Sequence, residues 1–155
     1  MRSSFVLSLV LLISGAMILS PSARAEASAS DPADSPVGLW KTVDDSTGKV
    51  KSVVRIWEER GKLYGKVQNL VDPVDPNPTC RDCTGDRKGK PVIGLQILWD
   101  LQKDHDGWSG GTILDPESGK TYKCLVSLED GGMKLKVRGF IGLSLLGRTQ
   151  YWLRE

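Results

Sequence analysis

From residue 37 onward the chain consists of short runs rich in Val, Ile, Leu, Trp and Tyr, each ending at a glycine or an Asp-Gly turn signal. Such runs predict β-strands, because β-branched and aromatic side chains suit an extended backbone and glycine supplies the positive φ of tight turns. No long segment in this part repeats apolar residues at the helical period. The sequence therefore predicts about eight strands, at residues 37–43, 50–58, 62–70, 93–101, 107–114, 120–129, 133–139 and 147–154.

Most links between these runs are tight, such as Arg60-Gly61 and Asp130-Gly131-Gly132, so consecutive strands are expected to pair antiparallel. Charged and apolar residues alternate from Lys134 to Arg138, as in a sheet with one wet face. The expected fold class is all-β: a small antiparallel up-and-down barrel, in which closure removes exposed strand edges. A two-sheet β-sandwich is the alternative.

The first 25 residues have the pattern of a secretory signal peptide. Arg2 gives a basic start, residues 5–19 are almost unbroken apolar sequence, and Ala23-Arg24-Ala25 has the small-x-small form of a cleavage site. The apolar run is about 15 residues long, whereas a membrane span needs about 20. We therefore expect cleavage near Ala25, a periplasmic or secreted protein, and no membrane span after cleavage.

The remaining chain divides into two parts. Residues 26–36 are small, polar and proline-bearing, which predicts a flexible leader, and residues 37–155 are long enough for a single domain. Removing Arg2 and Arg24 lowers the 21 basic residues to 19, equal to the 19 acidic ones. The net charge of the released protein is then zero, which argues against nucleic acid as a partner.

One connection breaks the pattern of tight turns. Residues 72–91 have no strand periodicity, and connections longer than about 12–15 residues are usually functional or disordered. This loop contains Cys80-Arg81-Asp82-Cys83, for which three interpretations compete: a redox dithiol, half of a zinc site with Cys124 and His105, or a disulfide that stiffens the loop. An oxidising compartment and the absence of a following helix favour the disulfide.

Three cysteines leave one unpaired. Closing the short Cys80–Cys83 ring is worth roughly 2 kcal/mol by loop entropy, whereas a bridge from either to Cys124 is worth roughly 4. However, Cys124 lies in a strand on an apolar face, where a cysteine commonly packs as a small apolar residue. We therefore favour Cys80–Cys83 with Cys124 free.

Catalytic and metal-binding patterns are sparse. His105 is the single histidine and lies in a charged turn, and no nucleophile-elbow, phosphate-loop or zinc-protease motif is present. The carboxylates of residues 72–86 are matched by neighbouring arginine and lysine, which favours self-neutralisation over cation binding. We expect a non-enzymatic protein with no cofactor and no metal.

Two features point to an apolar ligand. Five tryptophans are many for this length; they either pack the core or line a cavity. Residues 140–147 are apolar and rich in glycine, so they form either core or the mouth of a barrel. The candidate ligand-binding residues are Trp57, Trp99, Tyr122, Phe140 and Leu143.

Several motifs, in order, resemble the bacterial secreted family called domain of unknown function 2147. They cover about residues 36–154, and the resemblance implies little about function because that family is uncharacterised. The motifs are Pro36-Val37-Gly38-Leu39-Trp40, the Pro-Asn-Pro and C-x-x-C loop, Gly110 to Pro116, Gly119 to Tyr122, Val137 to Gly142, and Leu146 to Gln150.

A looser resemblance is to the lipocalin-like barrels. Gly38-Leu39-Trp40 is similar to the G-x-W that opens the first lipocalin strand, and Arg148 or Arg154 would be the late arginine that stacks on this tryptophan. The resemblance implies that Gly38, Trp40 and that arginine are structural residues that close the barrel floor.

Three functions remain open. The leading hypothesis is a small β-barrel that binds an apolar or amphipathic molecule, which requires an internal cavity of several hundred Å³. The second is a protein-binding module, an inhibitor or envelope assembly factor, that binds an envelope protein partner through a projecting 72–91 loop on a filled barrel. The third is a thiol or metal-dependent enzyme, which requires Cys80, Cys83, Cys124 and His105 to converge.

Overall fold

The computed structural model describes residues 34–155, so the predicted signal peptide and most of the predicted leader lie outside the described residues. The strands are β1 Gly38–Val43, β2 Val50–Glu59, β3 Lys62–Leu70, β4 Gln96–Asp104, β5 Gly107–Leu114, β6 Thr121–Glu129, β7 Lys134–Phe140 and β8 Gly147–Arg154. Each pairs with the next in sequence, and β8 pairs with β1, all antiparallel. The prediction of a closed up-and-down barrel is confirmed.

Seven of the eight strands lie within one residue of their predicted bounds, and β4 is the exception. It begins at Gln96 because residues 92–95 turn irregularly: Gly94 has φ 84°, and Val67 N–H donates to the Leu95 carbonyl at 3.0 Å. Val92 and Leu95 are nevertheless buried like strand residues. An apolar run at this point therefore resembles a strand without forming one.

The connections of a meander alternate between the two ends of the barrel. One end, here called the closed end, carries the start of β1, the end of β8 and the short turns 60–61, 105–106 and 130–133. The other end, here called the mouth, carries the connections 44–49, 71–95, 115–120 and 141–146. Every longer connection except the N-terminal segment is therefore at the mouth.

The closed end is filled by large apolar side chains. One inward layer is almost entirely buried and contains Trp40, Leu63, Leu101, Leu135 and Trp152. Each such side chain contributes about 1.5–3 kcal/mol through the loss of water contact. This layer is the main apolar packing of the half of the barrel that lies away from the mouth.

Among residues 34–155, no helix is long and apolar enough to cross a membrane. The helical structure in this range is the single 3₁₀ turn Gly85–Arg87 in the connection between β3 and β4.

Candidate functional site

The floor of the barrel is built from the first and last strands. Arg154 lies over the Trp40 ring, with its guanidinium carbon 4.2 Å from the ring centroid, and Trp40 Nε1 donates to the Pro36 carbonyl at 2.7 Å. Arg154 also donates to the carbonyls of Gly132 at 2.7 Å and Ser35 at 2.8 Å. A partly covered cation over an aromatic face is attractive, and these bonds lock its position.

Gly38 makes this floor possible. Its φ is +143°, and a Cβ there would lie 3.1 Å from the Arg154 guanidinium. The lipocalin-type pair is therefore Trp40 with Arg154, not Arg148. Because Ser35 and Pro36 also bond to this pair, the packed domain begins a little earlier than the predicted boundary at residue 37.

The mouth half of the barrel is hollow. A cavity of about 1380 Å³ extends from the mouth loops down to Trp152. This exceeds the roughly 300–1,000 Å³ of typical small-molecule pockets, because it includes the space between the loops. Its inner wall is mostly apolar and comprises Val67, Leu70, Val92, Ile97, Ile113, Leu114, Tyr122, Val137, Gly139, Phe140 and Trp152.

Small side chains leave this space open. Thr42, Ser52 and Gly139 line the cavity from β1, β2 and β7. Each lies two residues nearer the mouth than a position on the same face that a larger side chain fills. A Cβ at Gly139 would meet Tyr122 at 3.4 Å, which is ordinary van der Waals contact, and its φ lies outside the strained region. A larger residue there would project into the cavity.

Four polar side chains are set into the cavity wall. The hydroxyls of Thr42 and Ser52 share a hydrogen bond of 2.7 Å, and Trp152 Nε1 donates to Gln150 Oε1 at 3.5 Å. The structure gives the Tyr122 hydroxyl no hydrogen-bond partner within residues 34–155. It is therefore free to bond a polar group on a ligand.

Charged side chains form the rim of the mouth, above the apolar wall. Arg148 Nε and Nη2 both donate to Asp45, at 2.8 and 2.5 Å, which ties β8 to the β1–β2 turn. Lys51 of β2 pairs with Glu117 of the β5–β6 turn, across two intervening strands of the barrel. Together the lining residues carry six carboxylates and four cations: Asp44, Asp72, Asp75, Asp82, Asp115, Glu117, Lys49, Lys51, Arg81 and Arg148.

Asp44 shapes the β1–β2 turn at this rim. Its Oδ1 accepts the backbone N–H groups of Ser46 at 3.0 Å and Thr47 at 2.9 Å, and the Thr47 hydroxyl at 3.0 Å. These bonds, led by those from Thr47, hold the pKa of the Asp44 carboxyl below its usual value. The turn is therefore stabilised by the ionised form of Asp44.

The long loop between β3 and β4 forms one wall of the mouth. It spans residues 71–95, and its two arms pair through Cys80 N–H to the Lys90 carbonyl and Val92 N–H to the Pro78 carbonyl, at 2.8 and 2.9 Å. Cys80 and Cys83 form a disulfide and are almost fully buried within the core cluster. The part of the loop that carries the disulfide is thus packed onto the barrel, whereas residues 71–77 are exposed.

The β5–β6 turn packs closely against this loop. Cys80 Sγ lies 3.3 Å from the Pro116 carbonyl oxygen, and the α-carbon of Gly119 (φ +68°) approaches the Asp82 backbone so closely that a Cβ would overlap it. Only glycine meets both requirements at this position. The disulfide therefore anchors the loop to a neighbouring part of the rim.

The thiol and histidine candidates do not converge. Cys80 and Cys83 are joined to each other at the mouth, whereas His105 lies in a turn at the closed end. Cys124 is a free, buried thiol, and burial raises its pKa to about 12. Within residues 34–155, no three His, Cys, Asp or Glu side chains are grouped so that they could hold a metal ion.

The structure separates the predicted ligand-binding residues into two groups. Tyr122 and Phe140 line the cavity. Trp57 and Trp99 are not among the residues that line the cavity, in contrast to the expectation from the sequence: Trp57 stacks on Tyr64 with ring centroids 5.9 Å apart, and Trp99 lies under the Arg87 guanidinium at 5.0 Å, beside a separate shallow pocket. Leu143 is exposed on the mouth loop and does not line the cavity, while its neighbours Ile141, Leu145 and Leu146 do.

Some cavity-lining residues were missed because their chemical type is ordinary, and side-chain alternation shows which positions the sequence could have assigned. Alternation along β2 places Trp57 on the outer face of the barrel. Val54 and Ile56 point inward, and the intervening Arg55 is exposed. Trp99 follows no such rule: Asp100 has φ 57°, so Leu98 and Leu101 are both fully buried despite their odd spacing. Gln150, Thr42 and Ser52 were not predicted, although same-face alternation with Trp152, Trp40 and Val54 places them inward.

Comparisons with known proteins agree with this geometry. A comparison with curated proteins finds no match. Among solved structures, protein HP1028 from the human pathogen Helicobacter pylori, described as belonging to the lipocalin family, aligns with a TM-score of 0.66 and 24% identity over 77% of this chain and 82% of that chain. At this identity the likeness shows a shared fold, and the lipocalin-like prediction is confirmed.

The family resemblance is confirmed as well. The sequence model of DUF2147, described as an uncharacterized protein conserved in bacteria, matches residues 38–154, which include all eight strands from the Gly38 of the floor to Arg154. The chain therefore belongs to the DUF2147 family.

Proposed function

We propose that this protein is a non-enzymatic carrier or sensor that binds a small apolar or amphipathic molecule in its barrel, in the periplasm or after secretion. The observation that supports the proposal is the cavity of about 1380 Å³, which has an apolar wall and opens at one end. An apolar ligand gains about 25 cal/mol for each Å² that it removes from water in such a cavity. The polar side chains of the cavity wall and the charged rim suit a molecule with one polar end.

The alternative function, a protein-binding module, required a filled barrel and a projecting loop. The barrel contains a cavity instead, and the 71–95 loop is packed onto its rim through buried Cys80 and Cys83. The enzyme hypothesis required His105 to approach the cysteines, and the barrel places it at the opposite end. These placements support a binding role for the cavity.

Cavity binding is tested with an apolar fluorescent probe, N-phenyl-1-naphthylamine, titrated into the full chain after expression and processing. Gly139→Leu places a branched side chain beside Tyr122, in space that is otherwise empty. We expect this variant to weaken probe binding at least tenfold and to keep its thermal stability. Lys136→Leu is the matched control, because it adds the same side chain on the outer face of the same strand.

Two results would contradict the proposal: no saturable probe binding by the wild-type protein, or equal probe affinity in Gly139→Leu and Lys136→Leu. Native mass spectrometry of the protein purified from the periplasmic fraction of its own cells measures the location and the natural ligand together. We expect a co-purifying mass of a few hundred daltons that is lost in Gly139→Leu, on the ligand sizes that pockets of this kind accept.

A further inference from the structure

The connection between β7 and β8, residues 141–146, is here called the apolar mouth loop. It exposes four large aliphatic side chains in six residues: Ile141 is 67% exposed, Leu143 70%, Leu145 86% and Leu146 77%. No charged residue occurs from Gly139 to Gly147. Single exposed apolar residues are common on soluble proteins, but a concentrated uncharged group usually marks a contact with a partner or a membrane.

Hydrogen bonds from Arg138 to backbone carbonyls hold this loop in place. Arg138 donates from Nε to the Ser144 carbonyl at 2.8 Å and from Nη2 to the Leu145 carbonyl at 3.1 Å. The same guanidinium donates from Nη1 to the Thr149 hydroxyl at 2.7 Å, and Leu146 N–H closes the loop onto the Leu143 carbonyl. Three carbonyls and one N–H group of the loop are thus hydrogen-bonded within the protein, while its aliphatic side chains are exposed to solvent.

This surface occurs at the mouth and has no equivalent in the hairpin turns of the closed end. The turns 60–61, 105–106 and 130–133 consist of charged residues, histidine and glycine, apart from Met133, a single exposed apolar residue. Around the mouth, by contrast, Val74 of the 71–95 loop is also fully exposed. This loop follows β3, and β1 and β2 lie between β3 and β8 in the barrel. Apolar tips therefore stand on two sides of the cavity opening.

We propose that the apolar mouth loop inserts into the acyl region of a lipid bilayer, so that the cavity opens onto the membrane surface. The occupant is lipid because the tip carries aliphatic side chains without an exposed Trp, Tyr or Arg, the residues that dominate protein–protein hot spots, where Leu is under-represented. Ile141, Leu145 and Leu146 also line the cavity, so the loop joins the bilayer to the cavity by a continuous apolar path.

Charge indicates how this contact is made. The four mouth connections carry eight carboxylates and six cations, and Lys51 and Arg148 of the rim bring the cations to eight, so the mouth has no positive excess to attract anionic lipid. Adsorption then depends on apolar insertion and changes little with salt, since screening acts on charge–charge attraction. The proposal rests on the proposed function in one respect: the ligand of the cavity is collected from, or delivered to, this lipid layer.

Flotation with phosphatidylcholine vesicles tests the inference. We expect the wild-type protein to float with the vesicles, and Leu143→Asp to lower the partition coefficient at least tenfold, because a carboxylate at the tip must be desolvated on insertion. Met133→Asp is the matched control, since Met133 is an exposed apolar residue at the closed end. We expect binding to change less than twofold between low and high salt or when phosphatidylglycerol is added.

Four outcomes would overturn the inference. They are no flotation of the wild-type protein, equal flotation of Leu143→Asp and wild type, flotation that requires anionic lipid and disappears at high salt, and a dimer in solution that Leu143→Asp dissociates. Circular dichroism and thermal unfolding of each variant establish that it is folded.

The two proposals fail in different experiments. Gly139→Leu narrows the cavity beside Tyr122 and leaves the apolar mouth loop in place, so it is expected to weaken probe binding and keep vesicle binding. Vesicle binding without saturable probe binding would contradict the cavity function alone. Probe binding in solution without vesicle binding would contradict the membrane contact alone.

Discussion

The two ends of this barrel are built in opposite ways from the same strands. At the closed end, short polar turns surround a fully packed layer that Trp40 and Arg154 complete. At the mouth, small side chains leave the interior empty, the loops are longer, and aliphatic side chains face solvent. The difference teaches that packing and open volume are separated along the barrel axis, since a packed core stabilises the fold and the hollow half leaves space inside the barrel.

Trp40→Ala gives the largest expected change, because it removes the centre of the closed-end layer. Trp40 is fully buried, and a tryptophan-to-alanine change at such a position costs about 3–5 kcal/mol of unfolding free energy. Urea denaturation followed by circular dichroism measures this loss. Trp57→Ala is the control: that ring lies on the outer surface against Tyr64, so about 1 kcal/mol is expected. Equal losses in the two variants would contradict a floor-centred core.

The disulfide should stabilise the mouth without affecting the floor. Closing the four-residue ring between Cys80 and Cys83 is worth roughly 2 kcal/mol, so the double variant Cys80→Ala/Cys83→Ala is expected to lose about that amount. Alanine keeps the buried positions apolar. Hydrogen exchange should show faster exchange in residues 71–95 and unchanged protection around Trp40.

Reductant supplies the control for this prediction. Dithiothreitol should lower the stability of the wild-type protein and leave the double variant unchanged. If the loss of protection extended to β1 and β8, the two ends would not be energetically separate, and the comparison above would be wrong.

Strand positions could be predicted from the sequence because each strand ends at a turn residue and most strands alternate. The cavity could not, because its volume depends on which small side chains meet across the barrel. Gly139, for example, faces Tyr122 and Ile113 only after β5, β6 and β7 have paired. The outward position of Trp99 depends on the positive φ of Asp100, which no local sequence signal predicts for a non-glycine residue in a strand.

The disulfide and the floor were easier to predict, for different reasons. Two cysteines three residues apart can approach without any tertiary information, and their Cα atoms lie 5.4 Å apart. The pairing of Trp40 with a late arginine depended on family resemblance. Choosing Arg154 over Arg148 required the register, which places Arg154 opposite Trp40 and Arg148 opposite Gly139 at the mouth.

The pH dependence of stability that Cys124 contributes tests how far the packed half of the barrel extends toward the mouth. Burial raises the pKa of its thiol to about 12, whereas an unfolded cysteine titrates near 8.5. A raised folded pKa contributes stability that is complete below the unfolded pKa and is lost as pH rises toward the folded one. We therefore expect the wild-type protein to lose about 1 kcal/mol between pH 7 and pH 9.5 from this group.

Cys124→Ala should remove this alkaline component, as measured by urea denaturation at both pH values. Only the pH dependence is compared, so a constant cost of the substitution cancels. Identical losses of stability between pH 7 and pH 9.5 in the two proteins would mean that cavity water reaches the thiol. The hollow half would then extend past Gly111 and Gly139, the two residues that pair with Cys124.

The smallest expected effect concerns the rim turn at Asp44. The bonds from Thr47 and Ser46 lower the pKa of this carboxyl, so its stabilisation is present above the unfolded pKa of about 3.9 and is lost as pH falls through the lower folded value. Asp44→Asn retains an acceptor for these N–H groups and does not titrate, so its stability should fall less steeply below pH 4 than that of the wild-type protein. Asp106→Asn, in a closed-end turn, is the control, because the structure gives that side chain no hydrogen bond within residues 34–155. If stability below pH 4 fell less steeply in Asp106→Asn than in Asp44→Asn, the view that the ionised Asp44 organises the mouth would be contradicted. The acid sensitivity of the barrel would then lie at the closed end, where packing, and not charge, is expected to dominate.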